Sequence, residues 1–188
     1  MHSVEQDAAL ARLLEGNRRY YEGHARAATA SAHRVELADA QRPFAIVLGC
    51  SDSRVPVETI FDQGPGDLFV IRLAGNIVSA EGLASIEYAI EILGCGLVVV
   101  LGHTGCGAVQ AAISVAASGN TPPGHIGLLV EAIAPATRDA HPVEANARAS
   151  ARALVSRSSI VRAAVTRGGV RVAAAVYDLH TGRVRLLD

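Results

Sequence analysis

Three short, largely apolar runs stand between residues 44 and 102 of the chain. They read FAIVLG (44–49), DLFVIRLAG (67–75) and LVVVLG (97–102). Apolar runs of this length, without alternation between apolar and polar residues, are typical of strands that are buried on both faces of a sheet. The pattern therefore predicts three interior strands.

Helical patterns separate these runs and follow them. Apolar and small side chains recur at helical spacing within residues 3–23, and residues 79–96 begin with a capping serine and end in glycines. The polar, alanine-rich segment 24–43 predicts a connector with a short second helix. The final residues, 170–188, alternate around LHTGR and predict a hairpin. Further helices are predicted at 56–62, 106–119, 125–137 and 142–169, the last of them as one long helix.

Strands that alternate with helices indicate an α/β fold with parallel connections. A length of 188 residues suits one domain, and no shift in composition marks an internal boundary. We therefore predict a single domain over residues 1–188, with a central, mainly parallel β-sheet flanked by helices.

Composition and charge exclude several classes of function. Half of the residues are hydrophobic and the formal net charge is −1, which argues against disorder and against nucleic-acid binding through phosphate neutralisation. All 17 basic residues are arginine, so sites that need lysine, such as a P-loop or a Schiff base, are excluded. No apolar window is long enough to span a membrane, and the N-terminus lacks the pattern of a signal peptide. The three cysteines are then expected to be thiols or metal ligands in a reducing cytoplasm.

Metal-binding side chains follow two of the predicted strands. Cys50 comes directly after the first strand and His103 directly after the third, and Cys106 follows in a glycine-rich GHTGCG turn. Taken singly, each is more often a buried structural residue. Because parallel strands bring their carboxyl ends to one edge of the sheet, the three together predict a zinc site with an open fourth position. Cys95 has no second donor beside it and is interpreted as structural.

An aspartate and an arginine stand beside the first of these ligands, in CSDSR. Asp52 and Arg54 are two residues apart in a turn, so the guanidinium can bind the carboxylate at both oxygens. The simplest interpretation is a surface ion pair, which contributes little to stability. Next to a metal ion, the same pair would hold Asp52 as a hydrogen-bond acceptor and keep it from closing the fourth position.

The spacing of these residues resembles that of the β-class carbonic anhydrases, in which C-x-D-x-R is followed by H-x-x-C. The segment DQGPGDLFVIRLAGN (62–76) is also similar to the second strand of that family, and the resemblance covers nearly the whole chain. It implies one Zn²⁺ per chain with a catalytic pair beside it: the zinc ligands are Cys50, His103 and Cys106, and the pair is Asp52 and Arg54.

The same resemblance implies a function and an assembly. The chain would catalyse the reversible hydration of carbon dioxide to bicarbonate and a proton through a zinc-bound hydroxide. A helical arm (1–42) would precede an α/β core (43–188), and the leading helix is expected to contribute to dimerisation. We expect a homodimer or a dimer of dimers, with a small-molecule substrate and with no nucleic-acid or membrane partner.

Further positions are similar to substrate-binding positions of the plant-like subgroup of that family: Gln41, Phe69 and Tyr88. In that subgroup a glutamine amide orients the substrate oxygen and aromatic side chains wall an apolar slot, partly across a dimer interface. From the residues alone, Phe69 and Tyr88 are equally consistent with ordinary core. Gly107, next to the last zinc ligand, is also expected to bind substrate. The chain has no tryptophan, which members with a closed resting state usually carry at the Gln41 position, so we expect an open zinc site at neutral pH.

Three alternatives are open on the sequence alone. Hydrolysis of carbonyl sulfide or carbon disulfide would use the same zinc ligands. A thiol nucleophile, Cys50 activated by His103, is disfavoured because the C-x3-R spacing differs from the C-x5-R of cysteine phosphatases. A non-catalytic, zinc-stabilised interaction protein would need a fourth protein ligand, which Asp52 could supply.

Overall fold

The structure, a computed structural model, describes residues 3–26 and 34–187. Within these residues five strands form one sheet: β1 (Ala45–Gly49), β2 (Leu68–Arg72), β3 (Leu97–His103), β4 (Arg171–Tyr177) and β5 (Val184–Leu187). Their order across the sheet is β2-β1-β3-β4-β5. The first four strands are parallel, and β5 pairs antiparallel with β4. This arrangement confirms the predicted α/β fold with a mainly parallel sheet and a terminal hairpin.

Helices connect the strands and cover both faces of the sheet. Along the described residues they are α1 (Ser3–Tyr21), α2 (Arg34–Leu37), α3 (Val57–Ile60), α4 (Ala80–Glu91), α5 (Gly107–Ser118), α6 (Ile126–Ile133), α7 (Pro142–Arg157) and α8 (Ser159–Thr166). Short 3₁₀ turns occupy Ala74–Asn76 and Ala134–Ala136. Part of the predicted connector, residues 27–33, lies outside the described residues. None of the described helices combines the length and the apolarity that crossing a bilayer requires.

The core lies on both faces of the sheet because β1 and β3 are buried along their whole length. On one face the side chains of Ile46 and Val100 pack beneath α4, α7 and α8. On the other face Val47 and Leu101 pack beneath α1 and α3. Burial on both faces explains the unbroken apolar runs of β1 and β3, since neither side of these strands is open to water. The prediction of a third interior strand is wrong: β2 pairs only with β1 at the edge of the sheet, and its residues are partly or fully exposed.

A buried asparagine bonds helix α1 to the rest of the same chain. The Asn17 amide nitrogen donates to the carbonyl oxygens of Ile60 (3.2 Å) and Gly182 (2.9 Å), and its Oδ1 accepts from the Val184 amide (2.8 Å). Leu13, one turn earlier, is 1% exposed. The helix therefore belongs to the packed core of the described chain, and its contribution to a dimer stays a prediction.

The prediction of one helix over residues 142–169 is wrong. The segment forms two helices, α7 and α8, which meet at Ser158. Ser158 has extended backbone angles (φ −113°, ψ 124°), and its Oγ accepts a hydrogen bond from the Val161 amide as the N-cap of α8. The same hydroxyl donates to Glu87 Oε1 at 2.6 Å. The two side-chain bonds explain why the chain restarts a helix here instead of continuing one.

Replacing Ser158 by alanine tests this cap. Ser158→Ala removes a buried cap and the bond to Glu87, so the free energy of unfolding should fall by about 1–2 kcal/mol in urea denaturation. The control is Ser156→Ala, because Ser156 is exposed on α7, and its effect should stay within about 0.5 kcal/mol. Equal effects of the two substitutions would contradict the role given to Ser158.

Candidate metal centre

Three potential metal ligands meet at the carboxyl end of the sheet. Cys50 follows β1 and His103 is the last residue of β3, and these strands are neighbours with Gly49 opposite Leu101. Cys106 lies three residues beyond His103, at the N-cap position of α5. The ligand atoms of the three side chains lie within 4.8 Å of one another, and all three residues are buried. The predicted convergence of Cys50, His103 and Cys106 is confirmed.

A tight turn returns the chain from the end of β3 to the cluster. Gly105 has a φ of 64°, a left-handed conformation that favours glycine. The residue before it, Thr104, is bonded to the end of β4 and to the turn that follows: its amide donates to the Tyr177 carbonyl (2.9 Å), and its Oγ1 accepts from the Leu179 amide (3.0 Å). These bonds hold the turn in the shape that places Cys106 beside the other two ligands.

The ring of His103 presents one nitrogen to the cluster. Its Nδ1 lies 2.9 Å from the Thr104 carbonyl oxygen, which can only accept, so Nδ1 carries the hydrogen. The lone pair is then on Nε2, which is buried and has no hydrogen-bond partner among the described residues. Asn76 Nδ2 is the other buried polar side-chain atom of the described chain that has no hydrogen-bond partner. A backbone carbonyl that fixes the ring in this way is the usual support of a metal-binding histidine.

The two sulfur atoms of the cluster differ in acidity. The neighbouring Cys106 thiol, the nearby His103 ring and two backbone amides lower the pKa of Cys50 to about 4, although burial opposes ionisation. The amides are those of Asp52 and Gly75, 3.4 and 3.3 Å from Cys50 Sγ. The bond to Cys50 and burial raise the pKa of Cys106, which keeps the proton. A divalent cation bound between the sulfurs would displace this proton and hold both as thiolates.

The donor atoms fit a metal ion by their chemistry as well as by their position. Thiolates and imidazole are ligands of zinc and of other borderline-soft divalent ions. His103 Nε2 has a free lone pair without a partner in the described chain, and such buried atoms are rare in folded proteins. Three protein ligands leave one coordination position for water, which is typical of catalytic rather than structural sites.

Asp52 and Arg54 form the predicted pair beside these ligands. The guanidinium donates from Nε to Oδ1 (2.9 Å) and from Nη2 to Oδ2 (2.7 Å), and the Arg54 amide also donates to Oδ1 (2.9 Å). These bonds hold the pKa of the Asp52 carboxyl well below its usual range, so it is ionised at neutral pH. Asp52 Oδ2 lies 3.8 Å from His103 Nε2. The catalytic role of the pair stays a prediction.

A second arginine, Arg72 at the carboxyl end of β2, was missed by sequence reasoning. Its Nε donates to the Cys50 carbonyl (2.9 Å) and its Nη2 to the Asp52 carbonyl (2.5 Å). The two bonds fix the backbone of the loop that carries both of these residues. The available signal was a charged residue that ends the apolar run LFVI, on a strand parallel to β1.

The residues predicted to bind substrate do not all lie at the metal ligands within one chain. Gly107 does, as the first residue of α5 and the neighbour of the last ligand. Phe69 is opposite Ile46, near the start of β1, and is therefore about 13 Å from Cys50 along the strand direction. Tyr88 on α4 lies with Phe69, at 6.4 Å between ring centroids.

Gln41 lies at the opposite end of β1 from the metal ligands. It is exposed and lines a cavity of about 510 Å³ between α1 and the residues that follow α4. Cys95 lines the same cavity; its thiol donates to the Pro43 carbonyl (2.9 Å), and burial raises its pKa to about 11. These contacts agree with a structural role for Cys95. A second subunit would be needed to bring Gln41, Phe69 and Tyr88 to a metal centre.

Known proteins are similar to this chain in both sequence and fold. The profile of the family described as carbonic anhydrase matches residues 45–184. Carbonic anhydrase 2 of Mycobacterium tuberculosis is 38% identical over a 198-residue alignment that covers 100% of this chain and 96% of the relative. The structure of a Coccomyxa β-carbonic anhydrase in complex with acetazolamide has a TM-score of 0.74 at 30% identity, over 95% of this chain and 86% of that one.

Tetrameric β-carbonic anhydrases from Sordaria macrospora are also similar in fold. They give a TM-score of 0.74 at 28% identity, over 83% of this chain and 86% of that one. The matched family profile begins with β1, ends in β5 and includes all three clustered ligands. With a relative of this similarity over the whole length, these matches show that the chain belongs to the β-carbonic anhydrase family.

Proposed function

We propose that the chain is a zinc-dependent carbonic anhydrase that catalyses the reversible hydration of carbon dioxide to bicarbonate and a proton. The observation that carries the proposal is the buried cluster of Cys50, His103 and Cys106 with an ionised carboxylate, Asp52, beside it. Zinc is the ion we propose because two thiolates and an imidazole match its ligand preference. When bound, zinc supplies the nucleophile by lowering the pKa of water into the neutral range.

Asp52 is proposed to orient the reacting water as a hydrogen-bond acceptor. An ionised carboxylate has no proton to donate, so the water must donate to it. Each oxygen receives a bond from Arg54, and Oδ2 keeps a further lone pair on the side of His103. Because Arg54 also holds the carboxylate in place, Asp52 is kept from acting as a fourth ligand. This supports an open site at neutral pH.

We propose that carbon dioxide binds in an apolar slot made by two subunits. The substrate is uncharged, so aromatic walls suit it better than ionic groups. Phe69 and Tyr88 form a ring pair at the edge strand β2, where Tyr88 is 48% exposed in the single chain. The Gln41 amide and the Gly107 backbone N–H are donors that can steady a developing negative charge on a substrate oxygen. Gly107 would act in its own subunit, and Gln41, Phe69 and Tyr88 in the site of the partner subunit.

A homodimer across the β2 edge is supported by the apolar surface there. The residues of β2 are partly or fully exposed, whereas those of β1 and β3 are buried. Ile92 is 67% exposed and lies one helical turn beyond Tyr88. An apolar patch beside an edge strand favours burial against another chain. The tetrameric relatives of Sordaria macrospora make a dimer of dimers a reasonable further assembly.

The cytoplasm is the compartment we propose. Cys50, Cys95 and Cys106 are free thiols, and the two thiols of the cluster must stay reduced to bind a metal ion. Reducing compartments preserve such thiols.

The alternative functions receive less support from the site. The same centre could hydrolyse carbonyl sulfide or carbon disulfide, but the relatives are named carbonic anhydrases. A thiol nucleophile is disfavoured because Cys50 lies among two other metal donors. A non-catalytic zinc module is disfavoured because Asp52, which could supply its fourth ligand, is bound by Arg54.

Zinc content tests the metal centre. The purified wild-type protein should contain about one zinc per chain, and Cys106→Ser should retain less than about half of it after dialysis, because one sulfur ligand is lost. Inductively coupled plasma mass spectrometry measures both. The matched control is Cys95→Ser, which changes a buried thiol outside the cluster and should leave the zinc content unchanged. Full zinc content in Cys106→Ser would contradict the proposed ligand set.

Exchange of the Asp52 carboxylate for an amide tests its role as an acceptor. Asp52→Asn should lower kcat/KM for carbon dioxide hydration about 10- to 100-fold at unchanged zinc content, measured by stopped flow with a pH indicator. Asp139→Asn is the control, because Asp139 is exposed and only caps the His141 amide. Carbonyl sulfide and carbon disulfide are assayed in parallel. Faster turnover of either one than of carbon dioxide would contradict the proposed substrate.

Mixing two inactive variants tests the shared slot. Cys50→Ser destroys a metal centre and Gln41→Ala removes an amide that is proposed to act in the partner subunit. In a heterodimer of the two, one site combines an intact metal centre with an intact Gln41 from the other chain. Unfolding and refolding an equal mixture should therefore restore about a quarter of the wild-type activity. Activity no higher than the sum of the two parents would show that Gln41 does not act across an interface.

A further inference from the structure

A buried asparagine on α7 is connected to the sulfur of Cys50 through a single residue. Asn146 is 2% exposed, and its Nδ2 donates to the Gly75 carbonyl at 2.7 Å. The Gly75 amide in turn donates to Cys50 Sγ at 3.3 Å. Asn146 and Gly75 are 71 residues apart in sequence, so the link exists only because α7 packs on the sheet beside the cluster.

Gly75 has a conformation that favours glycine at this place. Its backbone angles are left-handed (φ 70°, ψ 20°). A Cβ there would lie 2.6 Å from Ile133 Cδ1 and 3.1 Å from Ala108 Cβ. Asn76, the next residue, also has a positive φ of 46°. Two successive residues with positive φ persist only where surrounding contacts hold the backbone in place. The bond from the Asn146 amide to the Gly75 carbonyl is one such contact.

The Asn146 bond acts on the sulfur through backbone geometry. The carbonyl and the amide of Gly75 belong to adjacent peptide planes that share its Cα. Fixing the carbonyl therefore restricts the direction of the N–H. Without the Nδ2 donor the carbonyl would be left buried and unpaired, and the turn would rotate to find another donor. The N–H would then point away from Cys50 Sγ.

The direction of this N–H matters for the charge on a sulfur ligand. Two thiolates donate much negative charge to a bound cation and so weaken its effect on water. Hydrogen bonds to a ligand sulfur withdraw part of that charge. Two backbone amides donate to Cys50 Sγ, those of Asp52 (3.4 Å) and Gly75 (3.3 Å). Loss of one of these donors would therefore increase the negative charge on the sulfur appreciably.

We propose that Asn146 is a positioning residue of the metal centre: it aims the Gly75 N–H at Cys50 Sγ and so limits the charge that this sulfur donates to the metal. The inference rests on the proposed function, since it requires a metal ion on Cys50. Asn146 acts through Gly75 and is not itself a ligand of the cluster.

Cobalt(II) loading reports on the charge of the sulfur ligands, because thiolates bound to cobalt produce charge-transfer bands in the near ultraviolet. Asn146→Ala and Asn146→Leu both remove the donor, and the second keeps the approximate size of the side chain. Both variants should bind cobalt with the band at longer wavelength than in the wild type, since a thiolate with fewer hydrogen bonds gives up charge more easily. In the zinc-loaded variants kcat/KM for carbon dioxide hydration should fall about tenfold.

The matched control is a second buried asparagine. Asn17 is also 2% exposed and donates through Nδ2 to backbone carbonyls, but it lies on α1 at the other face of the sheet. Asn17→Ala should lower the thermal midpoint of unfolding, as the Asn146 variants do, and leave the cobalt band in its wild-type position. This separates a specific effect on the sulfur from a general loss of stability.

The outcomes distinguish failure of the inference from failure of the proposed function. Wild-type protein without a charge-transfer band contradicts the metal centre itself. A wild-type band that stays in place in the Asn146 variants overturns the inference alone. Where neither variant folds, nuclear magnetic resonance of wild-type protein loaded with isotopically labelled cadmium decides the matter: coupling between cadmium and the Gly75 amide proton supports the aimed N–H, and its absence overturns it.

Discussion

Parallel pairing of β1 with β3 is the constraint on which the site depends. The register sets Gly49 opposite Leu101, so that Cys50 and His103 leave the sheet at the same edge. Both strands are buried on both faces, which allows little freedom to slide. The turn through Gly105 then needs to place only one further ligand, Cys106. A shift of one residue in this register would separate the donors and turn the side chains of a strand to the wrong face.

The cluster carries an energetic cost that a cation would offset. Two sulfur atoms and a ring nitrogen are buried together, and the nitrogen has no partner in the described chain. Around them the loop of Cys50 is held at several points by Arg54, Arg72 and the turn at Gly75. A site fixed in this way requires little rearrangement when an ion binds, so more of the binding free energy stabilises the fold.

The strands and the three ligands could be predicted because the signals are local. Unbroken apolar runs identify the strands, and the donors directly after two of them must appear at the carboxyl edge of the sheet. The runs did not distinguish β1 and β3, buried on both faces, from β2, which is a partly exposed edge strand. The break at Ser158 was missed because a serine inside an alanine-rich helical stretch has the same local pattern whether it caps or continues a helix. Arg72 and Asn146 were missed for a different reason: their partners lie 20 or more residues away, and no spacing rule reveals them. Gln41, Phe69 and Tyr88 were found through a resemblance, and a single chain does not bring them to the ligands.

X-ray absorption at the zinc edge of the purified protein tests the central claim most directly. The account predicts two sulfur ligands at about 2.3 Å and two nitrogen or oxygen ligands at about 2.0 Å, of which His103 supplies one and solvent the other. A zinc shell with no sulfur, or with sulfur alone, would contradict it.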